Sequence, residues 1–196
     1  MIQFLHNLWR KRGGTAAVEF AFVLPIMLVL FTGVFEVSQA LIVYMKVIDV
    51  ADTVSDLIAQ QSKVQSSDID NYYIAGKLVM TPSAGAGLGL YVASVTFDPV
   101  TGTPSVAWTA TRGGATAMTN AAAVAAANGP NGPLGLACPT PNAPNVCDSV
   151  ILAKASYTYN SALSYLIQLP IKMSAVVLSR PRPVLSISCT SSPTVC

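Results

Sequence analysis

The sequence predicts an α+β protein in which one long N-terminal helix, first transmembrane and then amphipathic, packs on a small antiparallel sheet domain. Three observations lead there. Residues 20–35 form a run without charge behind the basic cluster Arg10, Lys11 and Arg12. An apolar recurrence at spacings of four and three follows it, and several later stretches alternate apolar with small or polar residues at period two. The composition agrees: of 196 residues 52% are hydrophobic and 10% charged, with mean hydropathy +0.53, too apolar for an ordinary soluble domain.

Four segments follow. Residues 1–14 are a basic cytoplasmic leader, 15–36 a transmembrane helix, 37–62 its amphipathic continuation, and 63–196 an exported globular α+β head. The span is about 31 Å as a helix, the thickness of a bilayer's hydrocarbon core. No second run of this kind follows, so one segment crosses the membrane and the positive-inside rule holds the leader in the cytoplasm, with the head on the other side. From Thr15 to about Gln61 the helix would run about 47 residues and about 70 Å. Val37, Leu41, Tyr44, Ile48, Ala51 and Ile58 form the stripe expected to pack on the head, with Asp49, Asp52 and Asp56 on another face. Pro25 should kink or loosen the helix, because proline lacks a donor and crowds the preceding turn.

In the head, a short helix is expected from about Ser67 to Met80, capped by Ser67 or Asp68 and ended by Pro82. "LYVASVTF" and "SVAWTATR" read as a hairpin across "DPVTGTP". "SVILAKASYTY" is a third strand, and "MSAVVLSRP" and "VLSIS" add one or two more, the sheet burying one face on the long helix. Within residues 113–144 "NAAAVAAAN" is expected as a short helix, and the remainder reads as a surface loop.

Charge and cysteine usage set the class. Three of the eleven Lys and Arg lie in the leader, leaving eight against nine Asp and Glu, so no basic patch remains in the body to bind nucleic acid. Cys138, Cys147, Cys189 and Cys196 are even in number and confined to the C-terminal third, which suits an oxidising compartment. Three pairings are open; loop closure favours the local ones, Cys138 with Cys147 and Cys189 with Cys196, over zinc ligation, whose usual spacings are absent. The one histidine, His6, sits in the leader, so a histidine-based hydrolase has no base in a processed chain. "GAGLG" at 85–89 follows no strand and lacks the third spaced glycine of a dinucleotide loop. No enzyme, cofactor or metal is expected. Tyr72, Tyr73, Trp108 and Tyr157 are candidate contact residues of the head, with core packing the alternative for each.

One carboxylate stands out, because Glu19 lies just inside the apolar run. A glycine, four residues, a glutamate and an apolar helix resembles the cleavage and assembly signal of type IV pilins and pseudopilins. The fuller string "GGTAAVEFAFVLP", residues 13–25, resembles the TadE-like minor pilins or pseudopilins of the tight-adherence (Tad) system. A second, weaker likeness lies in "VILAKASYTYNSALSYL" and "SRPRP". The resemblance implies cutting by a prepilin peptidase after Gly14, a new amino terminus at Thr15, and an inter-subunit ion pair between Glu19 and the amino terminus of a neighbouring subunit. Phe20 and Pro25 occupy the other positions of the motif. It implies as partners that peptidase, other minor pilins, the major Flp pilin, the inner-membrane assembly platform and membrane lipid, with the protein in a bacterial inner membrane or a pilus. A TadG-like protein is a further possibility, although the Asp-x-Ser-x-Ser signature of its extra domain is missing. The alternative to a pilin is a secreted or merely anchored binding domain, since Ser38 and Ala40 make a small-x-small site for signal peptidase.

Overall fold

In the computed structural model, residues 14–83, 87–97, 103–128, 149–161, 170–191 and 195–196 are described. The chain divides into two compact units, Met1–Leu41 and Ile42–Cys196. Helix α1, Gly14–Ala59, contributes its first part to the first unit and its remainder to the second. It is 46 residues long and keeps Pro25 inside it.

The second unit is built on a four-stranded antiparallel sheet. Its strands are β2, Leu88–Phe97, β3, Pro104–Arg112, β4, Ser149–Tyr159, and β5, Ile171–Ser179, in the order β3-β2-β4-β5. Beside it, β1, Lys63–Val64, pairs in parallel with β6, Ser188–Cys189. Helix α2 is Ser66–Val79 and α3 is Asn120–Asn128. The predicted hairpin is present, with Leu90 opposite Arg112 and Phe97 opposite Pro104, and a register shift at Ser94 and Val95.

Burial corrects one expectation. Every residue of β2 except Thr96 is buried, so the sheet is covered on both faces rather than one. Side chains alternate along a strand, which sorts the cover into two layers. Tyr91, Ala93 and Leu152 share one face and form a cluster with Ala123 of α3, whose small residues let the helix lie close. On the opposite face, Ser94, Ile151 and Ser179 stand in register, and the Ser179 hydroxyl hydrogen-bonds the Ser55 hydroxyl of α1 at 2.9 Å. The expected "NAAAVAAAN" helix is present and forms a layer of the fold.

The stripe that α1 turns inward is Val43, Val47, Val50, Val54 and Ile58, joined by Ala51 and Ala59. Four residues of the predicted stripe point elsewhere: Val37, Leu41, Tyr44 and Ile48 are 62%, 53%, 41% and 37% exposed, while Ala51 and Ile58 are buried as expected. Two apolar stripes run along this helix and both obey the spacing of four and three; valines, stiff at χ1, fill the one the sheet accepts. Asp49 and Asp52 are exposed and Asp56 is half-buried.

The cap of α2 also lies two or three residues earlier than the sequence suggests. Gln65 is the cap residue, and the Asp68 carboxylate accepts its backbone N–H at 3.0 Å, the return half of a capping box. Arg112 ties α2 to the sheet through an ion pair with Asp70 and bonds to the Ser66 carbonyl and hydroxyl.

The chain after β5 is fastened at several points. The Arg182 N–H donates to the Ala59 carbonyl and its guanidinium pairs with Asp56. The Ser149 hydroxyl donates to the Leu185 carbonyl at 2.7 Å, and the Trp108 indole N–H to the Ile187 carbonyl at 2.7 Å. Cys189 is disulfide-bonded to Cys196, whose N–H donates to the Thr109 carbonyl. "VLSIS" therefore contributes only Ser188 to a strand, while the Leu185 and Ile187 carbonyls accept side-chain cross-links instead.

Candidate functional site

Gly14 begins α1, and Thr15, Glu19, Phe20 and Pro25 follow within its first twelve residues. A Cβ added at Gly14 would meet no atom within 4 Å, and Gly14 is not among the glycines with positive φ. Neither packing nor backbone conformation requires a glycine there. Among the described residues alanine would fit there and would favour the helix.

The side chains after it face outward. Val18, Phe20, Phe22, Ile26, Leu30 and Phe31 are between 56% and 76% exposed. An 18-residue window of α1 reaches a mean hydropathy of 2.3 with none of it buried, so the helix is a candidate membrane anchor by length and composition. Its hydroxyls agree with an apolar setting. The Thr32 hydroxyl donates to the Leu28 carbonyl at 2.8 Å and reaches the Val29 carbonyl at 3.0 Å, and the Ser38 hydroxyl donates to the Val34 carbonyl at 2.8 Å. Each is satisfied by its own helix, the arrangement a hydrocarbon surrounding demands. Pro25 removes the N–H that would bond the residue 21 carbonyl, the one gap this ladder must contain.

Glu19 is the exception to this pattern. It is exposed among apolar neighbours and makes no ion pair or hydrogen bond among the described residues. A charged side chain at the centre of a membrane-spanning helix costs about 3 kcal/mol, and less towards the interface. Five helical residues set it about 7.5 Å along the axis from Gly14. Glu36, which the sequence reading treats only as the end of the apolar run, is 4% exposed. The apolar first part of the helix is thus bounded by one exposed carboxylate, Glu19, and one buried carboxylate, Glu36.

The remaining candidates separate. Cys189 and Cys196 are joined, their Cα atoms 5.9 Å apart, and Cys138 and Cys147 lie outside the described residues, as do His6 and the basic cluster. Trp108 is 2% exposed and belongs to the core. The Tyr73 hydroxyl donates to the Leu88 carbonyl at 3.0 Å, with the Lys77 ammonium 5.0 Å from its ring centre. Tyr72 is half-buried, and burial, then Asp68, holds its hydroxyl above the usual tyrosine pKa. No cluster of three or more His, Cys, Asp or Glu suited to a metal occurs among the described residues.

Comparison with known proteins bears on the helix alone. Residues 14–56 match the family model of TadE-like proteins, from the first residue of α1 almost to its end. No curated protein matches the chain. No solved structure matches it either.

Proposed function

We propose that the protein is a minor pilin or pseudopilin of a Tad-type pilus, held in the inner membrane by α1 until it is assembled, with its leader in the cytoplasm and its head in the periplasm. A prepilin peptidase cuts after Gly14 and frees the amino group of Thr15. Glu19 then pairs with the amino terminus of a neighbouring subunit, and the helix passes from lipid into a bundle of like helices with the major Flp pilin and other minor pilins, on the inner-membrane platform. The TadE-like match over residues 14–56 supports a Tad pilus association, and the work of that family is structural rather than catalytic. The observation that carries the finer reading is Glu19, an exposed carboxylate without a partner on an otherwise apolar surface, five residues from a glycine that the fold does not need.

The chemistry is that of an ion pair made where water is excluded. Such a pair is worth far more there than at a surface, and leaving one member alone costs about 3–5 kcal/mol. Glu19→Gln should therefore leave processing intact and reduce incorporation into sheared filaments at least tenfold. Wild-type incorporation of the variant would reject the registry role.

A second reading has one observation behind it. Buried residues of the second unit begin at Val43, so cleavage by signal peptidase after Ala40 would spare that unit's core and release a soluble binding domain. It leaves Glu19 without purpose.

A further inference from the structure

We propose that the head holds a binding site for a ligand bearing an oxyanion, in a cavity of about 340 Å³ where the start of β2 meets the end of β4 and the start of β5. This rests on the second unit alone and stands apart from the processing reading. Its basis is charge. Of the nine acidic residues, the only ones after Asp70 are Asp98 and Asp148, which lie outside the described residues, whereas Lys77, Arg112, Lys154, Lys172, Arg180 and Arg182 are basic. Arg112 is paired with Asp70 and Arg182 with Asp56, and Lys77 lies against the Tyr73 ring. Lys154 and Lys172 make no ion pair among the described residues, and both line the cavity, whose described lining residues include no acid.

The strand register sets what lies between them. Gly89, Ser156 and Ser174 stand in one row across β2, β4 and β5. Lys154 is two residues to one side of that row, and Lys172 is two residues to the other, opposite Thr158. Even spacing puts both lysines and both serines on the same face, with the lysine Cα atoms about 14 Å apart and their flexible stems able to close on one ligand. The floor of the row is bare for a steric reason. A Cβ at Gly89 would lie 2.7 Å from the Ser156 hydroxyl and 2.9 Å from the Ala115 Cα, and Gly113, at φ +64, brings the turn after β3 to the same place. Two cations flanking the Ser174 hydroxyl and the Ser156 hydroxyl, which donates to the Gly89 carbonyl at 3.3 Å, suit a carboxylate, phosphate or sulfate, and the hydroxyl row suits one carried on a sugar.

Equilibrium dialysis of the full chain in neutral detergent against labelled glucuronate, inorganic phosphate and glucose tests this. Glucuronate should bind with a dissociation constant of about 1 mM or tighter, and glucose at least tenfold more weakly. The double variant Lys154→Gln, Lys172→Gln should weaken glucuronate at least tenfold while its thermal midpoint stays at the wild-type value. Phosphate bound as tightly as glucuronate would support an oxyanion site that ignores the carrier, and weaker phosphate would support an acidic sugar. Absence of binding by both anions, glucose binding as well as glucuronate, or a double variant that binds like the wild type would overturn the proposal.

Discussion

Replacing Ile58 and Ile48 by alanine, one at a time, tests which stripe of α1 faces the sheet. The two substitutions delete the same three carbons from the same helix and gain the same helix propensity, so their difference isolates burial. Ile58 is 0% exposed and Ile48 is 37% exposed. At about 0.8 kcal/mol per buried methylene, Ile58→Ala loses about 2.4 kcal/mol of transfer energy. A residual cavity of about 60 Å³ adds about 1.4 kcal/mol. After about 0.4 kcal/mol returned by propensity, the cost is about 3.4 kcal/mol. Ile48→Ala loses about two-thirds of the transfer term and opens no closed cavity, so it costs about 1 kcal/mol. Denaturant unfolding of the full chain in mild detergent, followed by Trp108 fluorescence, measures both. An Ile48→Ala cost equal to or above that of Ile58→Ala would refute the packing described and restore the stripe the spacing first suggests.

Other predictions concern the head and Gly14. The Tyr91 hydroxyl is buried with no hydrogen-bond partner among the described residues, so Tyr91→Phe should be at least as stable as the wild type, to within about 1 kcal/mol, by thermal melting at pH 7. Burial raises the Tyr91 pKa above 10.0. The stability held in the neutral phenol is complete below pH 10 and is lost as pH rises through the raised value, so the midpoint of Tyr91→Phe should fall less steeply above pH 10. Cys189→Ser opens a loop of sequence separation 7 and should cost about 2.5 kcal/mol by urea titration, a loss that reductant reproduces in the wild type. Gly14→Ala should leave the melting curve unchanged, since nothing lies within 4 Å of the added carbon.

Much of the architecture was legible because it rests on local pattern. The apolar run behind a basic cluster announces α1, period-two alternation announces β2 to β5, and "NAAAVAAAN" matches Asn120–Asn128. What the sequence hid depends on partners distant along the chain. Val43 and Tyr44 are neighbours with equal claims to an inward face, and the choice falls to the sheet surface they meet, with Ser179 selecting Ser55. Lys63–Val64 and Ser188–Cys189 are too short to show a period, so their parallel pairing could not be read. Trp108 looked able to contact a partner until Ile187 was found to accept its N–H. The cationic row of Lys154 and Lys172 was invisible in a head whose charges nearly balance, because the acids gather between Asp49 and Asp70 while these lysines lie on the sheet. The N-terminal motif was the opposite case: Gly14, Glu19 and Pro25 carry a family resemblance that is legible in the sequence itself, and the helix adds that the glycine has no packing duty among the described residues.

The central claim is that α1 is the product of cleavage after Gly14. The most direct measurement is the N-terminus of the mature chain, by intact mass and N-terminal peptide sequencing of the full-length protein expressed beside its own prepilin peptidase, with Gly14→Ala as the control. The account predicts a chain that starts at Thr15 and a variant that stays uncut but folded. A chain that starts at Leu41, or one that keeps Met1 in the presence of active peptidase, would contradict it.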